Sequence, residues 1–552
     1  MTSDSNVLSA RDRVLSIPEL IDHIVQFLRQ VHLSQLRLTC KTFKCAFTPH
    51  VSFEVSQDYY KNRKPELQAL AVYGPLVKSL RIDALGNESN LETMLEHHQA
   101  ILRVNFRCWG SNDGLFYKIL ETQSLLKDLT LNLSGDSVKA YITGLVETIA
   151  SRAPPLESLS LYTQVRGGII IPWTNICFIL DACPKIQHLS FRGFNILRNN
   201  DKVLPQIQSL VVSDAYFNHN DIGFFLHTMP NLRSLNLHLY KSAENVFNVI
   251  MGEHIYPTKN ILPQLTKLKI GARRSHLPGL AQFIQHCCPC IQDLELVDEC
   301  GLVRRLDMLR LLDHFNHKGI TLKRFAFDYY PESSIEDWVR RVLESCCPKL
   351  EELQLGGGIY FLLETQDYLY KWKKSGESSM RDHFSEGLKF WFPFASTLTK
   401  LHLNNKTRMN AIPYHGPYLV NLMIQSMPLL EDLALMNMFE DYSVLQGLGR
   451  CPASNKKDKS LHSPDQAEEK TAWLESQNFP QERPFLRFLG IGLAKGVGFK
   501  ATVWDREMVD RFRFLEQLSV KTALSHPQME ELSQWQETLR PGLEFTLLPL
   551  GE

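Results

Sequence analysis

Four clusters in this chain have residue types and spacings that could do chemistry. His286, Cys287, Cys288 and Cys290 are metal-type ligands in a C-x-x-C setting, but a tetrahedral zinc site needs a second ligand pair at a suitable distance. The parallel segment Ser345-Cys346-Cys347-Pro348 makes the cysteines recur by position, which packing at helix ends explains without a metal. GIGLAKGVG, from Gly490 to Gly498, is glycine-dense after a strand, as a phosphate loop would be. It fits neither G-x-G-x-x-G nor G-x-x-x-x-G-K-[ST], and it is expected to be the turn after a repeat strand. Tyr368, Tyr370 and Trp372 alternate with Lys371, Lys373 and Lys374. That mixture can stack on bases and neutralise phosphates, clamp a protein, or pack on its own neighbours. The pairs Arg273-Arg274, Arg304-Arg305 and Arg340-Arg341 drift relative to the pattern described next and form no basic ladder. No nucleophile, base and orienting group stand at a motif spacing, so the chain is expected not to be an enzyme and to need no cofactor or metal.

The elements that must position such groups are repeats. A proline two residues ahead of an L-x-x-L-x-L core recurs in APPLESLSL from Ala153, CPKIQHLSF from Cys183, LPQIQSLVV from Leu204 and MPNLRSLNL from Met229. It returns in LPQLTKLKI from Leu262, CPCIQDLEL from Cys288, CPKLEELQL from Cys347 and MPLLEDLAL from Met427. Cores without the proline start at Leu76, Leu126, Leu322, Leu398, Leu486 and Leu515. Core starts at 126, 156, 186, 207, 232, 265, 291, 322 and 350 are separated by 30, 30, 21, 25, 33, 26, 31 and 28 residues. This is a leucine-rich-repeat period with room for a strand, a turn and a full helix, and such units bury their apolar faces only by stacking.

Positions 1, 4 and 6 of each core are predicted to point inward, and positions 3 and 5 outward. Between cores, Ile222, Phe225, Leu226 and Met229 fall at helical spacing, as do Leu280, Phe283, Ile284 and Cys287, and again Ile335, Trp338, Val339, Val342 and Cys346. Each helix is predicted to end at the motif proline, which disfavours helical geometry in the residue before it and has no N–H to donate. The predicted fold class is therefore α/β, a leucine-rich-repeat solenoid with strands on a concave face and helices on a convex one.

Composition restricts function further. Sixty basic residues balance sixty acidic ones, which favours neither a nucleic-acid nor a membrane-surface partner. No apolar run approaches the ~20 residues of a membrane span, and the polar opening MTSDSNVLSARDR is unlike a secretory leader. Twelve scattered cysteines suit reduced thiols in a cytoplasmic or nuclear protein better than a disulfide framework.

The N-terminal stretch is a different module, with no repeat core but two amphipathic helical patterns. Leu20, Ile21, Ile24, Phe27 and Leu28 form the first, opened by a capping box of Ser16 and Glu19 with Pro18 in the first turn. Leu33, Leu36, Cys40, Phe43 and Phe47 form the second. IPELIDHIVQFL followed by LSQLRLTCKTF resembles an F-box, and an F-box followed by C-P-x-L repeats resembles the F-box/leucine-rich-repeat proteins. The resemblance implies an all-α F-box that docks on the adaptor of an SCF-type cullin-RING E3 ubiquitin ligase, and repeats that hold a protein substrate. By position it places Ile17, Pro18, Glu19, Leu20, Ile21, Ile24 and Leu28 of the first helix and Leu33, Leu36, Leu38 and Cys40 of the second at the adaptor contact. Pro18 and Glu19 adjoin where the family pattern usually separates them, and Val31-His32 replaces an acidic turn. The alternative is a repeat scaffold or tether whose N-terminal helices only cap the first repeat.

The expected organisation is a disordered 1–12, an F-box over 13–50, a connecting segment over 51–75 packed on the first repeat, and repeats over 76–552. Insertions are expected at about 364–396 and 452–483, the second charge- and serine-rich. The outward positions offer Ser158, Ser160, His188, Ser190, Ser209, Val211, Ser234 and Asn236 in early repeats. Later repeats offer Lys267, Lys269, Asp293, Glu295, Arg324, Ala326, Glu352, Gln354, Lys400 and His402. Charge concentrated there and alternating in sign between neighbouring strands makes Lys267, Lys269, Asp293, Glu295, Arg324, Glu352, Lys400 and His402 the candidates for binding a protein substrate.

Overall fold

A computed structural model of the 552-residue chain divides into two units, Met1–Leu265 and Thr266–Glu552. The structure describes residues 17, 20–21, 25, 43, 46–47, 52–55, 79–83, 101–109, 113–134, 138–163, 169–197, 199, 202–213, 216–217, 226–239, 262–272, 283–284, 287–298, 311, 313–317, 319–328, 347–356, 395–404, 424, 427–439, 486, 488–493, 517–522 and 544–549.

The first unit runs β1 (Ser52–Val55), β2 (Ser79–Asp83), β3 (Arg103–Trp109), α1 (Asp113–Thr122), β4 (Asp128–Ser134), α2 (Val138–Arg152), β5 (Ser158–Thr163), β6 (Ile169–Pro172), α3 (Trp173–Ala182), β7 (His188–Arg192), β8 (Phe194–Leu197), β9 (Ser209–Ser213), β10 (Tyr216–Phe217) and β11 (Ser234–Leu239). The order β1-β2-β3-β4-β5-β7-β9-β11 forms one parallel sheet, while β6, β8 and β10 pair in parallel as a second, smaller sheet. The second unit runs β12 (Lys267–Ala272), β13 (Asp293–Asp298), β14 (Arg324–Asp328), β15 (Glu352–Leu355), β16 (Lys400–Asn404), β17 (Asp432–Phe439), β18 (Phe488–Leu493), β19 (Gln517–Thr522) and β20 (Glu544–Pro549), each parallel to the next. Parallel strands in sequence order, separated by connections of repeat length, are the architecture of a leucine-rich-repeat solenoid.

Strands β4, β5, β7, β9 and β11–β19 each start at position 3 of their cores. Positions 1, 4 and 6 are buried in repeat after repeat: Leu156, Leu159 and Leu161, then Ile291, Leu294 and Leu296, then Leu398, Leu401 and Leu403. Like positions align across strands, so the leucines stack in columns. The motif proline acts through a tight turn. The N–H of position 1 donates to the carbonyl three residues earlier, as in Ile186 to Cys183 (3.2 Å), Leu232 to Met229 (3.2 Å), Leu350 to Cys347 (3.2 Å) and Leu430 to Met427 (3.1 Å). Proline follows the accepting residue at the second place of a four-residue turn, where its fixed φ is favoured. It thus shapes the turn as well as ending the helix. The repeat at Leu322 lacks proline and closes its helix with Gly319, at φ 62°, whose N–H bonds Asn316 while that of Ile320 bonds Phe315 (3.3 and 3.0 Å).

Two features differ from the sequence expectations. An additional repeat lies between the cores at Leu76 and Leu126, where Ile101, Val104 and Phe106 are buried at 0–2% exposure and β3 pairs with β2 and β4. The full helix expected in every repeat has no room between Ile186 and Ile207, and β8 occupies that connection instead. The helix at 226–228 and the buried, helical Phe283, Ile284 and Cys287 fall where the periodicity places them, whereas 335–346 lies outside the described residues. The segment expected to connect the modules contributes β1 as a strand of the sheet.

In the N-terminal module, Leu20, Ile21, Val25, Phe43, Ala46 and Phe47 are helical, and the Ile21 N–H donates to the Ile17 carbonyl at 3.2 Å. The Phe43 and Phe47 rings lie 5.7 Å apart, as an i,i+4 pair on one helix face should. Residues 1–12 and 452–483, and nearly all of 364–396, lie outside the described residues. No helix among the described residues is long and apolar enough to cross a membrane.

Gly193 links the two sheets of the first unit. At φ 79° its N–H donates to Ser213 O (3.0 Å), and a Cβ there would meet Thr163 O at 2.4 Å. Gly193→Ala is expected to destabilise the protein by about 1–3 kcal/mol through left-handed strain and that backbone clash. Urea unfolding checks it, and an unchanged midpoint contradicts it.

Candidate functional site

The outward rows of the sheet are fixed by register. In the second unit, position 3 reads Lys267, Asp293, Arg324, Glu352, Lys400 and Asp432 across β12–β17. Position 5 reads Lys269, Glu295, Ala326, Gln354, His402 and Ala434. The sign alternates along position 3, so each charge faces its opposite on the neighbouring strand, at the spacing where cross-strand pairs interact.

All eight predicted substrate-binding residues therefore lie on one face; six of them are joined in ion pairs, and His402 is hydrogen-bonded to Asp432. Arg324 reaches Asp293 (2.7 Å) and Glu295 (2.9 Å), with Glu352 at 3.3 Å, while Lys269 bonds Glu295 from the other side. Lys400 and His402 converge on Asp432 at 3.1 and 2.8 Å. Lys267 is exposed, opposite Asp293. Asp432 is a member of the ladder that the sequence reading passed over. The position-3 rule extended by one repeat, to Glu431-Asp432-Leu433, identifies it.

Burial tends to raise the Glu295 carboxyl, but hydrogen bonds from Lys269 and Arg324 outweigh it and hold the group below its ordinary value. Burial likewise tends to raise Asp432, and His402 and Lys400 reverse this. Burial works against the Arg324 charge, but Asp293 and Glu295 raise its pKa all the same. The ladder is an internally neutralised network, with its charges largely spent on one another.

The first unit has a different face. Position 3 reads Ser158, His188, Ser209 and Ser234 along β5, β7, β9 and β11, and position 5 reads Ser160, Ser190, Val211 and Asn236. Two residues further along the strands stand Tyr162, Arg192, Ser213 and His238. Ser190 is buried, with its hydroxyl 3.4 Å from that of Tyr162, whereas His188 and Arg192 are exposed. None of these twelve positions holds a carboxylate or a lysine.

The remaining sequence candidates separate. Cys287 and Cys288 are fully buried and Cys290 is exposed on the turn, so the three thiols do not converge, and His286 lies outside the described residues. Burial pushes the Cys287 thiol up to about 12 and Cys288 well above the ordinary value; Cys177 and Cys183 rise to about 11. These are neutral core thiols, poor nucleophiles and poor ligands. Gly490 and Gly492 are strand residues of β18, paired in register with Ser519 and Lys521, and not part of a turn; 494–498 lies outside the described residues, as do Tyr368–Lys374 and the arginine pairs. Of the adaptor-contact positions, Ile17 is exposed at 46%, Leu20 is half-buried and Ile21 is buried at 3%. Pro18, Glu19, Ile24, Leu28, Leu33, Leu36, Leu38 and Cys40 lie outside the described residues.

Arg324→Met strips Asp293 of a guanidinium partner and leaves Glu295 only Lys269. It is expected to cost about 2 kcal/mol in urea unfolding at neutral pH, as loss of charged hydrogen bonds to half-buried groups does. The folded Glu295 and Asp432 carboxyls lie below their ordinary 4.5 and 3.8, so their contribution is complete above those values and is lost as the pH falls through the lowered ones. Unfolding midpoints followed from about pH 7 to about pH 3 should fall in acid, with a shallower fall in Asp432→Asn. Parallel curves for the two proteins contradict the pairing.

No family model matches the sequence, and no curated protein matches it. A search of solved structures finds a likeness to the crystal structure of a TLR13–ssRNA13 complex, at 12% identity and TM-score 0.28, covering 88% of this chain and 63% of that one. The chain therefore spans under two thirds of that structure's length, and so distant a superposition transfers nothing to it. The fold assignment rests on this chain's own parallel register and repeat spacing.

Proposed function

We propose that this chain is the substrate-recognition subunit of an SCF-type cullin-RING E3 ubiquitin ligase, its N-terminal helices docking on the adaptor and its repeats holding a protein substrate. The observation that carries the reading is the order of modules. The F-box-like IPELIDHIVQFL and LSQLRLTCKTF stretches contribute helical residues at Leu20, Ile21, Val25 and Phe43, and a parallel repeat sheet follows them. In this reading the chain transfers no ubiquitin itself. Its work is presentation: one module fixes the ligase, and the other fixes where the substrate's lysines stand. The exposed Ile17 gives a partner an apolar anchor at the start of the first helix.

Burial of Ile21 and Phe47, both at 3%, favours a second reading, in which these helices only cap the solenoid and the chain is a scaffold. Co-purification separates the two. The full chain should retain the cullin adaptor, and Pro18→Ala with Leu20→Ala should reduce that retention at least about tenfold, the loss expected for an interface anchor. No adaptor on the unaltered chain, or equal capture by the double variant, rejects the receptor reading.

A further inference from the structure

The helical layer of the first unit is interrupted beside α3. Helices α2 and α3 pack side by side, but the connection from β7 to β9 passes through β8 and has no helix among its described residues. Instead it keeps pace with α3. The Thr174 N–H donates to Asn199 Oδ1 (2.8 Å), the Asn199 amide donates back to the Thr174 hydroxyl (2.9 Å), and the Lys202 ammonium bonds Asp181. At the end of the connection the Leu204 N–H donates to the Thr228 carbonyl (2.6 Å), which closes the next helical residues, 226–228. Between α3 and those residues, the place of one helix is thus taken by a non-helical connection. Four of the seven exposed large apolar side chains among the described residues gather here: Ile170, Phe178, Leu197 and Val203. Phe178 stands on the Thr174–Asp181 stripe of α3, about one turn from each, between the two contacts. Leu197 and Val203 stand at either end of the connection, and Ile170 shares the side of the small sheet that carries Leu197.

We propose that this apolar step, centred on Phe178, is a docking surface for a short amphipathic α-helix of a partner protein, seated where the repeat lays down no helix of its own. The layer itself shows what fits, since α3 already packs a helix, α2, on another flank. A partner helix at the usual interaxial distance of about 8–10 Å would cover Phe178 as a regular repeat's helix would. The exposed side chains set the pattern it must carry. Thr174 and Asp181 stand about 10 Å apart along α3, the rise of seven helical residues, so apolar groups at i, i+4 and i+7 can meet Leu197, Phe178 and Val203. Charge adds a second restriction. Asp181 is the only charged residue of α3, and Lys202 answers it, so the rim favours uncharged polar residues around the apolar stripe. Area selects between occupants. Four side chains fall short of the about 800 Å² per partner of a stable interface, too little for a second copy of this solenoid but adequate for the apolar face of one helix.

This surface is independent of the receptor reading, whose own test is adaptor capture by the Pro18 and Leu20 variant, so either can fail without the other. The test uses the full chain, without adaptor, and fluorescence anisotropy with two helical peptides of about 18 residues, long enough to hold a helix in water. One sets Leu at i, i+4 and i+7 in an Ala/Gln background; the other has the same composition with its Leu residues spread around the helix. The striped peptide is expected to bind at least about tenfold tighter than the spread one, as loss of an interface anchor would predict. Phe178→Ser with Leu197→Ser should abolish the difference, and Leu125→Ser, the same change at an exposed leucine in the turn after α1, should preserve it. Phe178→Ala alone should reduce it, and serves if the double variant lowers the melting temperature. Equal binding of the two peptides to the unaltered chain, or a difference that survives both Phe178 variants, overturns the proposal. Sedimentation velocity is expected to show a monomer; a dimer that the double variant dissociates overturns the helix in favour of a second copy of the chain.

Discussion

A single backbone carbonyl per repeat sets the register on which the rest of the structure depends. The position-2 carbonyl accepts the N–H groups of positions 2 and 3 of the next repeat, as when Lys127 O receives Glu157 and Ser158 at 2.7 and 3.1 Å. The same pair recurs from Gln292 to Lys323 and Arg324 (2.9 and 3.2 Å) and from Lys323 to Glu351 and Glu352 (2.8 and 3.1 Å). It holds even across the longest described interruption but one, where Glu351 O receives Thr399 and Lys400 and the Thr399 hydroxyl adds a third bond at 3.0 Å. A slip of one residue would turn every leucine column outward and every serine or charge inward, so this contact fixes core and surface together.

That constraint explains what the sequence made legible. Because alignment is position on position, the L-x-x-L-x-L spacing alone identifies Leu156, Leu159 and Leu161 as core and Ser158 and Ser160 as surface. The repeat at Ile101 escaped notice because it spells the core I-x-x-V-x-F, and where others place proline after cysteine or methionine it is preceded by His98 and Gln99. Its buried face satisfies the same geometry with different residues, and the Ile101 N–H finds the side chain of the buried Gln123 at 3.3 Å. The small sheet of β6, β8 and β10 was illegible for another reason. Ile169–Pro172 and Phe194–Leu197, at four residues each, are too short for periodicity to separate strand from helix.

The charged face was legible as a pattern but not as a consequence. Alternating signs at position 3 follow from the sequence once the repeats are aligned, and they singled out Arg324 as a binding residue. Three-dimensional proximity changes its meaning, since a guanidinium already held by Asp293, Glu295 and Glu352 supports the sheet it stands on. Nor could the sequence reveal that Lys400 and His402, two residues apart on one strand, share a single carboxylate on the next. Pairing across strands depends on side-chain reach, which spacing does not encode.

Partner binding therefore meets different costs on the two faces. A charged segment laid on the second unit competes with existing pairs, and separating Arg324 from Glu295 leaves a half-buried carboxylate to be recompensed by the newcomer. On the first unit, docking a segment on Ser158, Ser209 and Ser213 mainly displaces water from short hydroxyl groups, which can donate or accept as the ligand requires. High charge density on a repeat sheet is thus no index of a docking site when its members are mutually satisfied. The more permissive surface is the quieter stretch of sheet, where short hydroxyl groups are numerous.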